Sequence, residues 1–158
     1  LPAVTYDGDI GVGDHVWGIY GSTEEDITTT VTGTVSMRGM NGNYADISGV
    51  HFAGNSGTGL NAYCLVLLSQ CSFDGWDTAA FAQNGAWVNA MDCTFTNNIT
   101  ALKFNSNTSY GSAPNYFNNT FTDNGTAVCI NNLPGTEVLD FAGSIFSGNE
   151  RDSTGESG

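Results

Sequence analysis

The 158-residue chain is poor in positive charge: Arg38, Lys103 and Arg151 are its only basic residues other than histidine, against 16 acidic ones, and the formal charge is −13. Nucleic-acid binding needs clustered cations against phosphate, so this composition nearly excludes it. Anionic membranes and polyuronate substrates are repelled for the same reason. Long apolar runs are missing as well. The longest, "AYCLVLL" at 62–68, falls far short of the roughly 18 residues of a spanning helix, so no membrane span is expected. The opening "LPAVTYDGD" lacks the charged and apolar regions of a signal peptide, which fits a mature secreted chain or an excised domain. Few segments suit a helix, because glycine and β-branched residues recur every few positions. No C-x-x-C pairs the cysteines at 64, 71, 93 and 129, and no histidine lies nearby, so a zinc site is not expected. What is abundant is Gly, Asn, Thr and Ser. With lysine almost absent, that points to an extracellular or cell-surface protein of one domain with a sizeable core.

The informative feature is a repeat. "VHFAGN", "CSFDGW", "CTFTNN", "NTFTDN" and "SIFSGN" share one outline, centred on Phe52, Phe73, Phe95, Phe121 and Phe146. Successive spacings are 21, 22, 26 and 25 residues, about one coil of a parallel β-solenoid. Alternation within a strand sends every second residue inward, and coils stack about 4.8 Å apart, so like lies above like. Aligned on the Phe, the inward columns read Val50, Cys71, Cys93, Asn119, Ser144; Ile47, Leu68, Ala90, Tyr116, Phe141; and Ala45, Val66, Val88, Pro114, Leu139. On the other side they read Gly59, Ala80, Leu102, Val128 and Asn61, Ala82, Phe104, Ile130. Three residues after the Phe stand Asn55, Trp76, Asn98, Asn124 and Asn149. Asn tolerates the left-handed backbone of a sharp corner, and its amide can bond the Asn of the next coil. Trp76 is expected to interrupt that ladder.

The F-x-x-N corner, the coil length and the stacked aliphatic columns resemble a right-handed parallel β-helix of the pectate-lyase type, all-β, with coils of about 21–26 residues. The resemblance covers roughly residues 30–150. The expected organisation is a strand segment over 1–30 covering the first coil, a β-helix over 31–150, and a flexible polar tail over 151–158. "DHVWGIYGS" and "DITTTVTGTVSM" each read as one strand.

Pectate lyases of this type generally use an Arg or Lys base with calcium held by Asp residues. Here the three bases fall in different coils, beside no acidic cluster, so lyase chemistry is not expected. Glycoside hydrolases of the fold use clustered Asp residues with a His and a basic motif. Asp74 and Asp77 in "FDGWDT", with Asp92 one coil on, are the candidates for such a carboxylate pair. Their alternative is a role as turn formers. Asp7, Asp9 and Asp14 in "YDGDIGVGDH" could hold Ca²⁺, against a plain solvated acidic loop; no other cofactor is expected. Trp17, Tyr20, Trp76, Trp87, Tyr110 and Tyr116 could stack against neutral sugars, although Tyr116 falls in an inward column and is expected in the core; Trp76 and Trp87 are the named binding candidates.

Cys71 and Cys93 share an inward column. Their Cα spacing permits a vertical disulfide, but parallel side chains keep the Cβ atoms apart, and buried thiols are the expectation. Sequons at Asn98, Asn107, Asn118 and Asn124 would matter only in a eukaryotic secretory protein.

The expected function is a non-catalytic extracellular structural or adhesion module, able to self-assemble end to end, whose partner is a neutral glycan, a protein surface or copies of itself. The alternative is a carbohydrate-active enzyme, hydrolase or lyase, on neutral or weakly charged polysaccharide.

Overall fold

The computed structural model describes residues 1–13, 18–38, 44–83, 85–106, 116–134 and 138–155. Asp14, His15, Trp17, Asn107, Tyr110 and Pro114 lie outside them. Among the described residues there is no helix, and the chain winds as a parallel β-solenoid of three sheets. The seven-stranded Phe sheet stacks Thr5–Tyr6, Thr29–Val31, Val50–Ala53, Ser72–Asp74, Thr94–Thr96, Thr120–Thr122 and Ile145–Ser147. A second seven-stranded sheet stacks Ile10–Val12, Val35–Met37, Thr58–Ala62, Thr78–Ala82, Thr100–Asn105, Thr126–Asn132 and Arg151–Gly155. The five-stranded sheet holds Gly18–Tyr20, Tyr44–Ser48, Leu65–Ser69, Trp87–Met91 and Tyr116–Phe117.

The rod interior is a set of vertical columns. Phe52, Phe73, Phe95, Phe121 and Phe146 stack with ring centroids 4.2, 5.1, 4.9 and 4.8 Å apart and planes within 11° of parallel. Ile47, Leu68, Ala90 and Tyr116 are in register, and Tyr116 stacks on Phe141 at 4.4 Å. Four stacked pairs add about 0.5–1.5 kcal/mol each beyond the burial of the rings. Truncating one buried Phe to Ala costs about 3–5 kcal/mol.

The columns of the second sheet correct the sequence alignment in one coil. Leu60 and Ala62, not Gly59 and Asn61, stand in register with Ala80 and Ala82. The corner between Phe52 and Thr58 is one residue longer than the corner between Phe73 and Thr78, so the inward positions slip by one.

The first thirty residues supply a coil of their own rather than a cover. Thr5, Ile10 and Ile19 pair in register with Thr30, Val35 and Ile47. Tyr6 and Val31 fill the column beneath Phe52, at the same period but without phenylalanine. "DITTTVTGTVSM" holds two strands, not one. Between them Gly33 lies against the coil below, where a Cβ would stand 2.1 Å from the Gly8 backbone. At the far end Arg151–Gly155 is a strand paired with Thr126–Asn132, not a loose tail. Its polar side chains gave no inward signal; its backbone ladder holds it.

The Asn ladder exists, with two corrections. Asn98 Nδ2 donates to Asn124 Oδ1 at 3.0 Å and to Phe73 O at 3.2 Å. Asn124 Nδ2 donates to Asn149 Oδ1 at 2.9 Å and to Phe95 O at 3.0 Å. The left-handed backbone belongs to the residue before: Gly75, Asn97, Asp123 and Gly148, with φ between 55° and 81°. Asn55 stays outside the ladder, exposed in its longer corner.

Asn124→Ala removes bonds to Asn98, Phe95 and Asn149 at once and strands buried partners. It should cost about 3 kcal/mol or more in urea unfolding. Asn55→Ala should stay within about 0.5 kcal/mol. Equal effects of the two would remove the ladder as a source of stability.

Candidate functional site

The carboxylates proposed from the sequence serve coil-to-coil bonds. Asp74 Oδ1 accepts from Asn97 Nδ2 at 3.3 Å, Asp77 Oδ2 from the Gly57 amide at 2.7 Å, and Asp92 Oδ1 from Asn118 Nδ2 at 2.6 Å. Asp92 sits at the corner entering the Phe sheet, whereas Asp74 and Asp77 flank the corner leaving it, so the three do not converge. Asp7 Oδ1 accepts from Thr32 Oγ1 and Asp9 Oδ1 from the Thr34 amide, both at 2.9 Å, joining the first coil to the second.

Trp76 and Trp87 are buried, which removes them from any solvent-facing platform. Trp76 does not simply break the ladder. Its indole N–H donates to Phe52 O at 3.0 Å, the bond that Asn98, Asn124 and Asn149 each make to the Phe of the coil before. Its backbone N–H donates to Asn98 Oδ1 at 3.0 Å. The indole fits because Gly54 lies against it; a Cβ there would stand 2.3 Å from the ring. Trp87 begins its strand and turns inward onto Phe104, ring centroids 5.8 Å apart. Asn98 and Asn124 are buried, so neither sequon can carry a glycan in the folded chain, while Asn118 is exposed.

Register creates one pair that sequence reading missed: His51 Nδ1 and Ser72 Oγ lie 2.6 Å apart on the outer face of the Phe sheet. The signal was present, since both immediately precede a repeat Phe. The strand amides around them are spent on the sheet ladders.

A concave surface lies on the outer face of the five-stranded sheet. One row across the coils reads Tyr20, Ser48, Ser69, Met91, Phe117; the adjacent row reads Gly18, Asp46, Leu67, Asn89. A groove of about 280 Å³ is lined by Asp46, Leu67, Leu68, Ser69, Asn89, Ala90, Met91 and Phe117. Met91 and Phe117 are 48% and 59% exposed, unlike the aromatic core. Tyr20 donates its hydroxyl to Asp46 Oδ2 at 3.4 Å, a long bond. Desolvation and then the Asp46 charge raise the Tyr20 phenol above its ordinary value, so it remains a donor. Asn89 Oδ1 is closed to solvent and has no hydrogen-bond partner among the described residues. Such an unmet acceptor costs about 1–3 kcal/mol, which a ligand donor would recover. These positions were readable in principle, because Ser48, Ser69, Met91 and Phe117 each follow an inward column residue.

Comparison with protein-family models, with curated proteins and with solved structures found no match.

No disulfide joins the four cysteines. Cys64, Cys71 and Cys93 are buried, and the hydrogen bond with Cys71, followed by burial, pushes the Cys93 thiol well up. Cys129 is half-buried, its thiol 3.4 Å from Asn131 Oδ1. A thiol reagent should therefore find one fast site in the native protein, abolished by Cys129→Ser, and the other three only after denaturation. Two or more fast thiols in the native protein would contradict the burial of this column.

Proposed function

We propose that the chain is a non-catalytic extracellular structural or adhesion module, a stiff rod whose contact face is the outer surface of the five-stranded sheet. One observation carries the reading: the groove combines half-exposed Met91 and Phe117 with an acceptor, Asn89 Oδ1, that has no donor among the described residues. Apolar wall plus unmet polar group is the usual make-up of a binding surface. The partner is a neutral glycan or a protein surface. Composition supports the extracellular assignment, and the charge of −13 disfavours anionic partners. The test is adhesion of the purified protein to surfaces coated with neutral polysaccharides or with extracellular proteins. Ser69→Trp, which plugs the groove while leaving the core columns intact, should abolish whatever adhesion the wild type shows. Undiminished adhesion by that variant would sink the reading.

A second reading, end-to-end assembly, is supported by the last described coil. Val128, Ile130, Leu139, Phe141 and Phe146 line an apolar opening of about 360 Å³ there, beside Asp152 and Ser153. A second copy stacked head to tail would extend the parallel sheets, and a heterologous contact of that kind propagates. Sedimentation velocity should then show species growing with concentration. A fixed monomer up to millimolar concentration removes this arm and leaves the first reading standing.

A further inference from the structure

We infer that the groove of the five-stranded sheet binds a neutral saccharide chain, with Asn89 and Asp46 accepting its hydroxyls and Phe117 stacking on a ring. The inference rests on the reading of this face as the contact surface, and it chooses between the two partners left open there. Three observations carry the choice. The groove offers acceptors in Asn89 Oδ1, which has no partner among the described residues, and in the Asp46 carboxylate, which has the Tyr20 hydroxyl at 3.4 Å, and it offers the Ser69 hydroxyl, which both donates and accepts. A ligand whose polar groups both donate and accept, as sugar hydroxyls do, suits this lining. The remaining wall, Leu67, Met91 and Phe117, is apolar and asks for a ligand with a C–H face. Finally, Asp46 and the net charge of −13 reject an acidic sugar.

A saccharide meets all three conditions with one repeating unit. A protein partner adding a strand would need a free sheet edge, and this is a sheet face. The groove runs from Asp46 to Phe117 across four strands, about 14 Å at the strand spacing, which suits an elongated chain rather than a single ring. Reaching Asn89 Oδ1 requires Asn89 to rotate or the half-exposed Met91 and Phe117 to swing aside.

The probes are cellohexaose, xylohexaose and mannohexaose, with hexagalacturonate as the charged control, each titrated calorimetrically. At least one neutral hexasaccharide should bind. Phe117→Ala and Asn89→Leu should each weaken it about tenfold or more without lowering the melting temperature. Hexagalacturonate should not bind. The inference is overturned if no neutral hexasaccharide binds, if both variants bind as wild type does, or if hexagalacturonate binds equally well. Should the sugars fail while Ser69→Trp still abolishes adhesion to a protein-coated surface, the groove remains the contact face and only the ligand class falls. Should both fail, the contact-face reading falls with it.

Discussion

The structure depends on one constraint: parallel coils stacked in register, so that each residue meets its equivalent one coil away. At the strand spacing of about 4.8 Å a side chain has no choice of neighbour. The stacked phenylalanines satisfy this condition with apolar contact and near-parallel rings. The Asn98–Asn124–Asn149 ladder satisfies it with amides, each of which both accepts and donates. A polar side chain deep in a rod is tolerated here because the neighbouring coil supplies its complement, the condition on which buried polar groups are stable. Trp76 illustrates the rule from the other side. It keeps the donor bond to Phe52 O but has no acceptor to offer, so the side-chain ladder cannot continue to Asn55.

The same register explains what the sequence disclosed. Phe52 to Phe146 stood out because one residue type recurred at one interval. Tyr6 and Val31 hold the same column, but without phenylalanine they carry no repeat signature. Arg151–Gly155 went unseen because backbone bonds, which carry no residue signature, fix it in the sheet. The left-handed corners were assigned one residue late. Asn tolerates a left-handed backbone, but φ is positive at Asn97 rather than Asn98, and a second such column, Gly49, Gln70, Asp92, Asn118 and Gly143, opens the Phe sheet. The sugar-stacking tryptophans failed for a simpler reason. Aromatic surface is the largest apolar area a chain can bury, and both Trp76 and Trp87 are used that way.

The candidate site was less legible than the fold because it is built from residues that do not repeat. Asp46, Leu67 and Asn89 are neighbours only once the register of the five-stranded sheet is known. Inward columns are constrained to resemble each other from coil to coil. Outward rows are not, so function can be written there without disturbing the core. A groove on such a face inherits the stiffness of the rod beneath it, which limits what a ligand must order on binding to a few surface side chains.

Charge obeys the stacking constraint too. Two carboxylates one strand spacing apart repel by about 1 kcal/mol in water, and by about 3 kcal/mol at the effective dielectric of a protein surface. A chain of charge −13 cannot afford a column of them. Where acids lie in these rows and corners, they stand beside neutral neighbours: Asp46 beside Leu67, Asp74 between Ala53 and Thr96, Asp92 bonded to Asn118, Asp77 to the Gly57 amide. Each acid is thereby turned from a source of repulsion into an acceptor tying one coil to the next. That leaves carboxylates, amides and hydroxyls, rather than cations, as the polar vocabulary of these rows and corners.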